Sequence, residues 1–303
     1  MKIDIYPPLH LHEIGFRENQ EDALWPKEAG VESRLFILCD GMGGHEHGEV
    51  ASQTVCQSIG IWYQEHLNAE DVLSDDQLRD AIEYAYTELD KYADGSPRQM
   101  GTTLTLLYIG SKGVTAAHMG DSRIYHIRPE VGVLYQSRDH SLAFDLFQAG
   151  EITYEEMATY PQRNVVTRAM TPGEDNRMRP DIIHISDIKS DDYFYMCSDG
   201  MMEKMTNNEL LTLFSADMDD KMKVGYLKMA TNQSFDNHTA WLIHIKDVIK
   251  EENDDQYENE ESTSRFNAIN ILPRPVYDAE YKDVVVVEAK VKSLFQKIIG
   301  IFK

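Results

Sequence analysis

Phe36-Ile37-Leu38-Cys39-Asp40-Gly41-Met42-Gly43-Gly44-His45 is an apolar run that stops abruptly at an aspartate and a glycine-rich segment. Such a run reads as a buried strand, and the glycines allow a tight backbone turn straight after it. A helix is expected to start near Glu46 to Val50. Asp40 is therefore expected at the mouth of the strand, where a carboxylate can meet a metal ion instead of a core. The same arrangement returns at Tyr193-Phe194-Tyr195-Met196-Cys197-Ser198-Asp199-Gly200. Two strand ends, each closed by Asp-Gly, read as two halves of one carboxylate cluster.

Outward from these strands the chain alternates between β-prone and helical patterns. Residues 1–15 read as one or two strands broken by Pro7 and Pro8. Gly15 to Ala23 reads as a charged loop in which Arg17 offers a planar fork suited to phosphate, with Glu21 and Asp22 side by side. Apolar residues at helical spacing predict helices over 48–66 and around Leu78, Ile82, Tyr86 and Leu89. Gly101-Thr102-Thr103 opens a β-rich region, with strands expected over 103–109, 113–118, 123–127 and 131–135. A turn, Met119-Gly120-Asp121-Ser122-Arg123, joins the second of these to the third. Two short helices, 142–148 and 153–160, then precede an irregular piece, and together they read as a flap. Strands at 182–185, 193–196 and 240–245 and helices at 207–214 and 221–231 complete the pattern. Asp236-Asn237 lies just before the last strand.

Composition narrows the function. A net charge of −23 on 303 residues argues against nucleic acid and anionic membrane as partners, because their phosphates would be repelled. It suits a protein that concentrates divalent cations. Asp4 falls where a signal peptide would be apolar, and no run approaches the roughly 18–20 apolar residues of a membrane span. Cys39, Cys56 and Cys197 are odd in number and lie in apolar segments, which implies buried thiols in a reducing compartment. A cytoplasmic location is expected.

Near residue 247 the character changes. Glu251 to Glu261 carries seven acids and no Lys or Arg, so 247–263 reads as an acidic, disordered linker. Residues 264–303 form a C-terminal extension. Val291, Leu294, Phe295, Ile298, Ile299 and Phe302 give it one apolar face, with lysines elsewhere. This basic amphipathic helix is expected to dock on its own domain or on a protein partner, in preference to a membrane.

Glu21, Asp22, Asp40, Asp199 and Asp236 lie in or beside expected turns. Carboxylates with backbone carbonyls are the oxygen ligands of Mg²⁺ or Mn²⁺, not of zinc. Two such ions sharing a carboxylate activate a water for in-line attack on phosphorus. No covalent nucleophile motif is present: there is no Cys-x5-Arg, no phosphate-binding loop with its lysine and no Gly-x-Ser-x-Gly elbow.

The ordered set Arg17-x3-Glu21-Asp22, Asp40-Gly41-Met42-Gly43-Gly44, Gly101-Thr102-Thr103, Gly120-Asp121-Ser122-Arg123, Ser198-Asp199-Gly200 and Asp236-Asn237 resembles the metal-dependent phosphatases of the PP2C (PPM) family, bacterial type. The resemblance runs from about residue 10 to 246. It implies an α+β fold, an α-β-β-α sandwich of two antiparallel sheets flanked by helix pairs. A phosphatase domain is expected over 1–246, with its flap at about 141–172. The implied activity is hydrolysis of phosphoserine and phosphothreonine on proteins, opposing a Ser/Thr kinase and acting on its substrates. Two Mn²⁺ or Mg²⁺ ions are implied, with a weaker third.

By position in the motifs, Asp40 matches the carboxylate that bridges two metals, and the Gly41 carbonyl a further ligand. Asp199 and Asp236 match direct ligands, Glu21 and Asp22 the acids that hold metal-bound waters, Asp121 a ligand of the third ion, and Arg17 the phosphate-binding arginine. Met42 stands where many eukaryotic members carry a histidine proposed as general acid, and methionine has no proton to donate. His45, His47 or a water remain for that role. His118 replaces a common asparagine and reads as a substitution of little consequence. The alternative is a binding module of the same fold, without turnover.

Overall fold

Residues 35–42 form a strand whose side chains alternate between two cores. Phe36 and Leu38 point into a cluster with Leu107, Phe194, Met196 and Trp241, while Leu35, Ile37 and Cys39 pack with Val55, Ile59 and Tyr86 beneath two helices. A strand covered on both faces has no polar side, so its sequence is an unbroken apolar run. The computed structural model describes residues 1–43, 47–68, 72–93, 100–129, 131–173 and 177–249.

In chain order the elements are β1 (Lys2–Ile5), β2 (Leu9–Glu13), β3 (Asp22–Trp25), β4 (Leu35–Met42), α1 (His47–His66), α2 (Asp75–Asp90), β5 (Gly101–Thr102), β6 (Leu104–Gly110), β7 (Gly113–Met119), β8 (Arg123–Arg128), β9 (Gly132–Gln136), α3 (Leu142–Gln148), α4 (Tyr154–Thr159), β10 (Asp181–Ile185), β11 (Tyr193–Cys197), α5 (Asp199–Met202), α6 (Asn207–Phe214), α7 (Asp220–Thr231) and β12 (His238–Ile249). One antiparallel sheet has the order β1-β12-β11-β8-β9, with β2 also on β12. The other has the order β10-β7-β6-β4-β3, with β5 on the far end of β4. The sheets face each other across the cluster that holds Phe36 and Trp241, and the Trp241 indole N–H crosses it to the Ile37 carbonyl at 3.1 Å. Helices α1 and α2 cover the outer face of the second sheet; α6 and α7 cover that of the first. The layers are helix, sheet, sheet, helix, as the α+β expectation has it.

Some local readings change. Asp40 does not end its strand: β4 continues through Gly41 and Met42, which pair with Thr102 and Gly101. Glycine permits this, because a Cβ on Gly41 would lie 2.2 Å from the Gly48 carbonyl oxygen and 2.6 Å from that of Glu21. Asp22 and Ala23, at the end of the expected loop 15–23, instead open the edge strand β3, which is too short and too flanked by charge to show a period of two. The final strand begins at His238 and runs to Ile249, past residue 246. The two short helices expected over 142–148 and 153–160 are α3 and α4. His45, residues 250–263 of the linker and the extension 264–303 lie outside the described residues. Among the described residues no helix is long and apolar enough to cross a membrane.

Candidate metal and phosphate site

The carboxyl end of β4 is held by hydrogen bonds that explain the Gly-Thr-Thr segment. The Thr103 N–H donates to the Asp40 carbonyl at 2.9 Å, the Asp40 N–H donates to the Thr103 hydroxyl at 2.9 Å, and the Thr102 hydroxyl donates to the same carbonyl at 3.0 Å. The Thr103 hydroxyl also lies 2.9 Å from that of Ser122, beside Asp121. The backbone of Asp40 is thus fixed from β5 and β6 and tied to the β7–β8 turn. Next to it, Asp22 of β3 is in register with Asp40, and the Gly41 N–H donates to the Glu21 carbonyl at 3.0 Å.

From the other sheet come Asp199, the first residue of α5 after β11, and Asp236, just before β12. Ser198, directly before Asp199, donates its hydroxyl to Asp22 Oδ2 at 2.9 Å and accepts the Thr239 N–H at 3.0 Å. Arg17 donates from Nη2 to Asp236 Oδ2 at 2.6 Å, and its side chain is 52% exposed. Buried Asn237 accepts the Glu21 N–H at 2.7 Å and donates to the carbonyls of Ile14 and Asn19 at 2.8 and 3.0 Å. All the acids named from sequence, and Arg17, therefore meet at one end of the sandwich. The roles of Thr102, Thr103, Ser198 and Asn237 were not anticipated, although each stands within a quoted motif.

The electrostatics show acids crowded together. Burial, then repulsion from Asp22, Asp199, Asp121 and Asp236, pushes Asp40 well above the carboxylate range. Burial likewise lifts Asp22 to about 7 against its bonds from Thr239 and Ser198, Asp121 to about 8 and Asp199 to about 6. Asp22 Oδ1 is buried with no hydrogen-bond partner. A buried anionic oxygen left bare is costly unless a cation meets it. The donors are all oxygen, and the set fits Mn²⁺ or Mg²⁺. Among the described residues no three of these acids bring ligand oxygens within 4.8 Å of one another.

A second group lies where β7 and β10 meet the segment before α3. Ligand atoms of His118, His140 and Asp181 fall within 4.8 Å of one another, and the two imidazoles stack at 4.8 Å. The Gly120 N–H donates to His140 Nδ1 at 3.1 Å, which assigns the ring proton to Nε2, 3.2 Å from Asp181 Oδ2. His118 donates from Nε2 to the Arg138 carbonyl at 2.8 Å, and burial followed by His140 pushes it down to about 4. His140 thus spends both nitrogens on protein partners. The expectation that His118 is of little consequence is corrected: it stacks against His140, which is bonded to Gly120 of the Asp121 turn. His47 is exposed at the start of α1, and Met42 is partly buried at the end of β4.

A family model described as Protein phosphatase 2C matches residues 17–230. The chain belongs to the protein phosphatase 2C family. Protein phosphatase PhpP of Streptococcus pneumoniae is 31% identical over 222 residues, which is 70% of this chain and 86% of PhpP. The solved serine/threonine phosphatase Stp1 from Staphylococcus aureus is similar with a TM-score of 0.69 at 30% identity, over 81% of this chain and 98% of that one. The catalytic domain of the serine threonine protein phosphatase PstP, solved in complex with two manganese ions, has a TM-score of 0.67 at 25% identity, over 81% of this chain and 100% of that one. The PP2C match begins at Arg17 and takes in Asp199. Asp236 lies beyond it and joins the PP2C site through its bond from Arg17.

Proposed function

We propose that this PP2C-family chain hydrolyses phosphoserine and phosphothreonine on proteins, using Mn²⁺ or Mg²⁺, and so opposes a Ser/Thr kinase. The observation that carries this reading is the gathering of Asp22, Asp40, Asp121, Asp199 and Asp236 at one end of the sandwich, with Arg17 beside them. Asp40, Asp199 and Asp236 would hold the ions directly. The Gly41 carbonyl would add a ligand, Glu21 and Asp22 would hold water ligands, and Asp121 would serve a weaker third ion. When bound, the ions activate a water for in-line attack and offset phosphoryl charge.

The chain's own contribution is position. Thr102 and Thr103 hold Asp40 before any substrate arrives, which lowers the reorganisation needed at the reacting centre. Arg17 turns its remaining donors to the phosphate oxygens in a bidentate grip. Met42 can give no proton, and we assign the leaving-group proton to water. The phosphatase domain spans residues 1–249, closing with β12 and carrying its flap at about 141–172, and residues 264–303 dock on this domain or on a protein partner.

The test is turnover of p-nitrophenyl phosphate and a phosphothreonine peptide with added Mn²⁺. Asp199→Asn is expected to lower the rate by more than about a hundredfold, the upper end for a residue that only orients a ligand. No turnover with Mn²⁺, or an unchanged rate in Asp199→Asn, overturns the reading.

A further inference from the structure

The rim of the site carries an exposed aromatic pair. Phe16 is 59% exposed and Phe235 is 67% exposed, and their ring centroids lie 5.7 Å apart. Phe16 directly precedes Arg17 and Phe235 directly precedes Asp236, and those two neighbours share the 2.6 Å bond. The Lys204 ammonium lies 5.2 Å from the Phe235 ring centre, within cation–π range.

The backbone beneath the rings is fixed. Gly15, at φ +63, backs so closely onto the Asp236 carbonyl that a Cβ would come within 2.2 Å of its oxygen. Only glycine combines that conformation with that approach. On the other side, the Phe235 N–H and the Ser234 hydroxyl both donate to Glu203 Oε2 at 2.9 Å. The two rings are held at the surface, where their apolar area stays in contact with water.

We propose that Phe16, Phe235 and Lys204 form a docking platform for the phosphoprotein substrate, receiving an apolar side chain one to three residues from the phosphorylated serine or threonine. This rests on the phosphatase reading above. Continuity with the site selects the substrate as occupant. Phe16 is one Cα step, about 3.8 Å, from Arg17, and an extended peptide advances about 3.3–3.6 Å per residue. A peptide whose phosphate sits on Arg17 therefore passes its near neighbours over the rings. Two rings also fall short of the roughly 800 Å² per partner that a stable subunit interface takes. Lys204 adds positive charge to a rim otherwise rich in carboxylates, which suits an anionic peptide.

The experiment compares kcat/KM, with Mn²⁺, for phosphothreonine peptides that carry either leucine or phenylalanine, or glycine, on each side of the phosphoresidue. The wild-type chain is expected to prefer the apolar peptides by roughly tenfold, through KM, as burying part of one such side chain allows. The Phe16→Ala/Phe235→Ala double variant, with its fold checked by thermal melting, is expected to bring that ratio to within about twofold of unity. Phe235→Leu, which keeps an apolar surface, retains most of it. Equal rates on both peptide types in the wild-type chain, or an undiminished ratio in the double variant, overturns the platform. Turnover of p-nitrophenyl phosphate separates the failures: turnover without preference defeats the platform alone, and no turnover of any substrate defeats the phosphatase reading as well.

Discussion

Asp236 and Asn237 are neighbours with opposite tasks. Asp236 faces Arg17 and the site, whereas Asn237 is buried and holds three backbone groups of residues 14–21. Its partners lie 216 to 223 positions away in sequence. The Asp-Asn pair is therefore legible as a motif, but the asparagine's role is not, because nothing local shows what it grips. Removing it leaves three part-buried backbone groups without their partner, where a fully buried group would cost about 1–3 kcal/mol. Asn237→Ala is expected to lower unfolding free energy by roughly 2–4 kcal/mol in urea titration, and to weaken Mn²⁺ binding because Glu21 loses its anchor. Asn237→Asp keeps one acceptor, loses both donors and adds charge to an acidic site, so it should be no milder. A chain as stable with alanine as with asparagine would show that residues 14–21 are held by other contacts.

At the scale of elements, periodicity exposes what is long and hides what is short. Helices α1 and α2 and the covered strands β4 and β11 are legible because their apolar spacing is regular. The edge strand β3 and the two-residue β5 are not, since each is defined by pairing with β4 and not by its own pattern. The segment from α3 to Met170 shows the same limit. Its helices carry local signals, such as Thr153 capping α4 with Glu156. Its anchors, the paired Thr102 and Met170 backbones and the Gly120–His140 bonds, are long-range. So is the link from β10 to β11, which crosses between the sheets. There Asp192 accepts from Arg128 at 2.7 and 2.8 Å, from the Lys189 N–H at 2.9 Å and lies 2.8 Å from His126 Nε2. Burial pushes its pKa up, but these partners outweigh burial and hold it at about 2. A depressed carboxylate stabilises the fold above its unfolded pKa near 4, and that gain is lost as pH falls towards 2. Asp192→Asn is expected to cost about 2 kcal/mol at pH 7, with the difference from wild type shrinking between pH 4 and pH 2. A difference that stays constant across that window would mean that packing, not charge, is what Asp192 contributes.

Over the whole molecule, the two sheets bring their site-forming strand ends together and thereby concentrate acids in a chain already at −23. Repulsion among Asp22, Asp40, Asp121 and Asp199 opposes folding until cations meet it, so metal binding and stability are linked. At a concentration a hundred times its dissociation constant, one ion adds about 2.7 kcal/mol. For a domain of this size that is a rise in melting temperature of roughly 5–10 °C. Mn²⁺ is expected to produce this shift in the full chain and equally in a chain ending at Ile249. Asp40→Asn should abolish most of it while melting no lower than wild type in EDTA, because it takes one charge out of the crowded set. The metal-free baselines report on the tail. A full chain that melts above the truncated one means that residues 250–303 contact the domain, and identical baselines mean that they add nothing to its stability. No shift with Mn²⁺ in the wild-type chain would mean that the acids are not a cation site, whatever their order in the sequence.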